Sequence, residues 1–107
     1  MNQQDIMLLN KMKRLIRNGH KRFKERKDRD YKKDLSKLFL TEEEAWNHIL
    51  SLNINLFFID PKPNYLKDKN TLVFKKVINK AKVYIKLKIE IINDEEVVCW
   101  SFHKDGE

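Results

Sequence analysis

The sequence predicts an α+β domain in which helices pack on one face of an antiparallel sheet. Three observations carry this expectation. Val83, Ile85, Leu87, Ile89 and Ile91 alternate with Tyr84, Lys86, Lys88 and Glu90, the period of a strand with one buried face. Ile6, Leu9, Met12 and either Leu15 or Ile16 recur at helical spacing and form one apolar stripe. Thr41, followed three residues later by Glu44, is a capping box ahead of the apolar set Ala45, Trp46, Ile49 and Leu50. With 107 residues, 41% hydrophobic, two glycines and two prolines, the chain reads as a single ordered domain spanning residues 1–107.

The first helix is expected over residues 5–18. Asp5 near its start and Arg14 and Arg17 near its end complement the helix dipole, and Asn18-Gly19 stops it. "HKRFKERKDRDYKKDLSK" then packs nine bases and four acids into eighteen residues, with Phe23, Tyr31 and Leu35 to bury. It reads as a short edge strand near 21–25 and a helix near 28–38, a charged loop being the competing reading. The capping box opens a helix over 41–52 that carries His48 as a partly exposed surface residue. In "FFIDPKPNY" two prolines impose an extended connection.

Three strands follow, near 71–78, 82–92 and 96–103, with "NDEE" turning the last hairpin. In the final strand Val98, Trp100 and Phe102 form a bulky set expected to face the helices. Val97, Cys99, Ser101 and His103 form the small or polar set, which would bring His103 out on the same sheet face as Tyr84.

Charge is distributed in blocks. Residues 1–40 hold thirteen Lys or Arg against five acids and residues 62–88 hold nine against one, whereas 41–61 and 89–107 are net acidic; the whole chain is +7. Two basic blocks that converge in space would make the footprint of a phosphate-backbone binder, a lysine-rich solvated surface being the alternative. No apolar run approaches the ~20 residues of a membrane span, and "MNQQDIMLLN" lacks the marks of a secretory signal, so a soluble cytoplasmic protein without membrane partners is expected. The single Cys99, inside an apolar strand pattern, reads as a buried filler. Histidines at 20, 48 and 103 have no zinc spacing, and there is no Gly-rich phosphate loop or nucleophile motif, so neither a metal nor a cofactor is expected.

The order of these elements, a helix ending in "KRLIRNG", a basic strand-like stretch, "LTEEEAWNHILSL", a loop and the hairpin "VYIKLKI…VVCWSFHK", resembles the MqsR-type toxins of the RelE-like superfamily. The parallel runs in order over nearly the whole chain and is most specific at the terminal hairpin. The resemblance implies a RelE/MqsR-like fold and a metal-independent endoribonuclease that cleaves messenger RNA, at the ribosome or free, and is neutralised by a cognate antitoxin protein. By position it puts the family's active-site tyrosine on Tyr84, its C-terminal lysine on His103 or the adjacent Lys104, and its remaining catalytic lysine on Lys62. The family's "WQD" strand segment is replaced by "VFKKV", which has no glutamine and places Lys75 in that strand.

Chemistry gives those residues roles. RNA is cleaved without a metal when its own 2′-hydroxyl attacks the neighbouring phosphorus, provided that the enzyme moves protons and stabilises the charge that builds on phosphoryl oxygens. An imidazole, with an ordinary pKa of about 6.5, suits proton transfer near neutrality, and ammonium groups act as point charges. His103 is therefore the expected acid or base, Lys75 and Lys62 the charge stabilisers and Tyr84 a hydrogen-bonding or stacking group, with Lys76, Lys86, Lys88 and Lys104 extending an RNA track. Two rivals keep the basic face without the chemistry: a non-catalytic nucleic-acid or ribosome binder, and a small inhibitor that occupies an acidic protein.

Overall fold

The computed structural model describes residues 3–59 and 70–107. Its elements run α1 (Gln3–Arg17), β1 (Lys21–Phe23), α2 (Tyr31–Lys37), α3 (Glu42–Leu50), β2 (Phe58–Ile59), β3 (Thr71–Ile78), β4 (Ala81–Ile91) and β5 (Glu95–Lys104). The five strands form one sheet in the order β1-β5-β4-β3-β2. The β2–β3, β3–β4 and β4–β5 pairs are antiparallel, but β1 lies parallel to β5, with Lys21 opposite Val97 and Phe23 opposite Cys99. The sheet is thus mixed, which corrects the wholly antiparallel expectation. Nothing local in "KRF" records direction: β1 and β5 are more than seventy residues apart, and the path between them decides it.

All three helices lie on one face. Leu9, Met12 and Ile16 of α1, Leu35 of α2 and Ala45, Trp46 and Ile49 of α3 join Phe23, Leu72, Phe74, Val83, Ile85, Leu87, Ile89, Val97, Cys99 and Phe102 in one buried cluster. Met12 and not Ile6 anchors α1; Ile6 stays partly exposed. α2 starts at Tyr31, three residues later than expected, because the Asp30 carboxylate caps it by accepting from the Lys32 amide. The α3 capping box is complete, with Thr41 Oγ1 accepting from the Glu44 amide and the Glu44 carboxylate accepting from the Thr41 amide. The prolines and Lys62 of "FFIDPKPNY" lie outside the described residues, but its Phe58 and Ile59 form β2 against Phe74 and Val73.

α1 and α2 end in the same hydrogen-bonded motif with different residues at its left-handed position. At α1 the His20 amide reaches the Leu15 carbonyl and the Gly19 amide that of Ile16; at α2 the Leu40 amide reaches Leu35 and the Phe39 amide reaches Ser36. Gly19 has φ +84° and takes this conformation freely, whereas Phe39 takes it at φ +61° with 84% of its surface in solvent. The Asn79-Lys80 turn of the β3–β4 hairpin has both residues at positive φ, as a two-residue turn of the primed type needs, and Asn79 donates to the Leu38 carbonyl, fastening the turn to the end of α2.

The last strand departs from simple alternation. The partners of β4 step from Ser101 opposite Lys86 to Cys99 opposite Leu87, so Trp100 is an extra residue in β5. Before this bulge Val97 and Cys99 face the helices, and after it Phe102 does. The expected bulky set is therefore split: Val98 and Trp100 share the far face with His103, while Phe102 alone of the three packs under the helices.

A left-handed backbone costs a residue with a Cβ about 1–2 kcal/mol, opposed by the roughly 0.5–1 kcal/mol of extra freedom that glycine brings to the unfolded chain. Phe39→Gly, which loses almost no burial, should leave stability unchanged or raise it by up to about 1 kcal/mol, while Gly19→Ala should lower it by about 1 kcal/mol. Urea denaturation of the two variants checks the contrast.

Candidate nucleic-acid interface

Strand alternation sorts the basic residues by face. β4 puts Lys82, Tyr84, Lys86, Lys88 and Glu90 on the side away from the helices, because Val83, Ile85, Leu87 and Ile89 are drawn into the core. β3 contributes Thr71, Val73, Lys75 and Val77 to that side, and β5 contributes Glu96, Val98, Trp100, Ser101 and His103. No described helix packs there.

Register then aligns three of the expected site residues. Lys75 is opposite Tyr84, and Tyr84 is opposite His103, so the three form one row across β3, β4 and β5. The Tyr84 and His103 rings stack with centroids 5.5 Å apart and planes 23° from parallel. His103 Nδ1 lies 2.8 Å from the Lys104 carbonyl oxygen. That oxygen only accepts, so Nδ1 carries the hydrogen and, in the neutral ring, Nε2 holds the lone pair. Lys75 Nζ is paired with Asp105 Oδ2 at 3.1 Å, and the Asp105 backbone is held by its amide on the Lys82 carbonyl at 2.8 Å. Both groups are about a third exposed, so the pair is weak enough for a phosphate oxygen to compete with Asp105.

Lys86 and Lys88 extend the same face toward the bulge, and Lys82 and Lys86 have no carboxylate partner among the described residues. Trp100 stands beside them on β5, between the partners of Lys86 and Leu87. Its Nε1 donates to Glu90 Oε2 at 2.8 Å, Lys24 Nζ lies 4.7 Å from its ring centroid and Lys88 Nζ 5.9 Å. Arg22 pairs with Glu96 at 2.6 Å and with Glu90 at 3.5 Å, and Arg26 donates to the Trp100 carbonyl at 3.2 Å. The first basic block thus reaches this face through Arg22, Lys24 and Arg26, beside the second block's lysines. Lys24 and Asp105 were not singled out from the sequence, and Trp100 was expected under the helices with Val98 and Phe102. A tryptophan in a strand reads as core until the bulge is known.

Two of the sequence-derived positions fall elsewhere. Lys76 lies opposite Val83 on the helix side, where its Nζ meets Ser51 Oγ at 2.6 Å, His48 Nδ1 at 3.3 Å and the Phe57 ring. Lys104 is also opposite Val83, so the alternation that exposes His103 beside Tyr84 turns Lys104 away. Neither shares the face of Tyr84, which removes both from the expected track. Lys62 lies outside the described residues. No family model, curated protein or solved structure matches the chain, so the arrangement stands on its own geometry.

Other features offer less. A groove of about 840 Å³ runs along the outer edge of β1, but Glu25, Glu42 and Glu43 line it together with Lys21, Arg22 and Lys24, a mixed lining that suits no single sign of ligand. Among the described residues no three His, Cys, Asp or Glu side chains cluster as ligands for one ion, and no helix is long and apolar enough to cross a membrane. Cys99 is buried, and burial pushes its thiol far above the ordinary range, so it is inert packing.

His48 has a readable pH consequence. Burial, and then the Lys76 charge, hold its imidazole below the usual value, while Glu44 opposes them. The unfolded chain therefore takes up this proton first, so the contribution is complete above the ordinary imidazole pKa of about 6.5 and is lost as pH falls from there through the lowered folded-state value. Denaturation midpoints should drop more between pH 7.5 and 5.5 in the unmodified protein than in His48→Gln.

Proposed function

We propose that the protein is a metal-independent endoribonuclease that works on the Lys75–Tyr84–His103 face. The observation that carries this reading is the row itself: an imidazole with a lone-paired Nε2, a stacked phenol and an ammonium group stand on consecutive strands, beside further lysines. Transesterification needs groups of this kind. The imidazole takes the 2′-hydroxyl proton or supplies one to the departing 5′-oxygen, and the lysine opposes the charge that develops on the phosphoryl oxygens. Tyr84 holds the nucleotide by stacking or by hydrogen bonding its hydroxyl, and Lys86 and Lys88 guide the flanking phosphates.

The likeness to MqsR-type toxins adds a biological setting: messenger RNA as substrate and a neutralising antitoxin as partner. The family's glutamine has no counterpart here, and in its strand Lys75 stands partnered by Asp105. In this reading Lys75 replaces a neutral hydrogen-bonding group with a charge that Asp105 screens until RNA arrives.

Purified protein incubated with RNA in EDTA tests the proposal, the expected product ending in a 2′,3′-cyclic phosphate. His103→Ala should lower the single-turnover rate about 10²- to 10⁴-fold with a much smaller change in RNA affinity, the signature of lost proton transfer. Retarded but uncut RNA would convert the reading to a binding protein, and neither cleavage nor retardation would leave an interaction protein. Lys86→Ala should instead weaken binding across sequences and reduce the slope of log affinity against log salt by about 1. Asp105→Asn, which frees Lys75, should tighten RNA binding at low salt, measured by fluorescence anisotropy.

A further inference from the structure

We infer that Trp100 is a second nucleobase platform on this face, so that the RNA strand is held at two aromatic points with Lys86 between them. The inference rests on the RNA reading above and adds a subsite to it.

The bulge is what makes the site. Without the extra residue, alternation would place position 100 on one side of the sheet and position 103 on the other; with it, both emerge on the far face. Trp100 is also held differently from the protein's other tryptophan. Trp46 is 6% exposed and tilted against Phe23 in the core, a role that packing explains. Trp100 is half-buried on a face that no described helix covers, and polar groups fix it at its rim. Glu90 accepts from Nε1, Arg22 ties Glu90 to Glu96, and Arg26 donates to the carbonyl of Trp100 itself. A ring anchored by its edge keeps its orientation, and what stands over it is two lysine side chains.

The groups over that ring are ammonium ions. Lys24 is 4.7 Å from the centroid and Lys88 5.9 Å. An ammonium over a solvent-exposed ring is held more weakly than a stacked base, so a nucleobase displaces it, and the displaced lysine is then beside the phosphate attached to that base. Ligand and counter-charge are therefore supplied from one arrangement.

Spacing sets the conformation of the strand. His103 stands opposite Tyr84, and the bulged Trp100 falls between the partners of Lys86 and Leu87, two to three steps along the sheet, or about 7–10 Å at ~3.3 Å per residue. Bases one step apart in a stack are separated by only about 3.4 Å, so the two platforms cannot hold adjacent, mutually stacked bases. The strand must run extended with its bases splayed onto the sheet, and Lys86, opposite Ser101, meets the phosphate between them. A paired duplex has no free base faces to offer.

The test uses 2′-O-methyl oligouridylates, which lack the attacking hydroxyl and so bind without being cut. The hexanucleotide should quench tryptophan emission of the full chain, and Trp100→Phe should abolish that quenching while keeping affinity within about threefold, because a phenyl ring still stacks. Trp100→Ala should weaken hexanucleotide binding about 5- to 150-fold and leave dinucleotide binding, confined to the Tyr84–His103 platform, unchanged. Unchanged emission at saturating hexanucleotide would overturn the subsite without recourse to a variant, and so would hexanucleotide affinity in a folded Trp100→Ala equal to that of the unmodified protein. If in those cases Lys86→Ala still weakens binding, the RNA reading survives alone. Failure of the unmodified protein to bind either oligonucleotide would remove the RNA reading and the subsite together.

Discussion

The pairing of β4 on both of its edges is the constraint on which the rest of the structure depends. Eleven residues long and hydrogen-bonded to β3 on one side and β5 on the other, it has no freedom to rotate one side chain without turning them all. Its four fully or nearly fully buried residues, Val83, Ile85, Leu87 and Ile89, are gripped by the helices, each burial contributing about 1.5–3 kcal/mol. A one-residue slip would forfeit all of them. The exposure of Tyr84, Lys86 and Lys88 is therefore enforced from the opposite face by the core.

The bulge in β5 alters this order at a single point. An uninterrupted β5 cannot present both Cys99 and Phe102 to the helices, since they are an odd number of residues apart. Inserting Trp100 as an unpaired step satisfies both, at the cost of a local break in the ladder. What the core gains from Phe102 and Cys99 is also what puts an indole and an imidazole on the same side of the sheet. Packing and the candidate site are consequences of one irregularity.

Charge completes the picture by being divided between compensated and uncompensated regions. Around Trp100 the acids Glu90 and Glu96 tie down Arg22 and orient the indole, whereas farther along β4 Lys82 and Lys86 are left without acid partners among the described residues. Exposed ion pairs contribute little to stability, so the acids on this face matter chiefly for where the side chains stand. Lys76, by contrast, is spent on the helix side against Ser51 and His48, one residue away from Lys75 and on the opposite surface.

Period and punctuation were legible in the chain because they are local. The alternation of 83–91, the apolar stripe of α1, the Thr41/Glu44 box and the Asn18-Gly19 stop each express the geometry of one element, and the structure has each of them. The shared face of Tyr84 and His103 was legible for a similar reason, since both lie on strands of one hairpin, although the strand between His103 and Val97 proved irregular. The direction of β1, the bulge at Trp100 and the closure of α2 on Phe39 were not legible. Each is a compromise among segments distant in sequence: β1 takes its direction from the path that leads to β5, and the bulge reconciles two buried side chains with one register. The same division holds for the site. A family resemblance, with residue chemistry assigning the roles, pointed to His103, Tyr84 and Lys75, but only tertiary packing, which assigns each side chain to a face, could separate them from Lys76 and Lys104 and bring Trp100, Lys24 and Asp105 beside them.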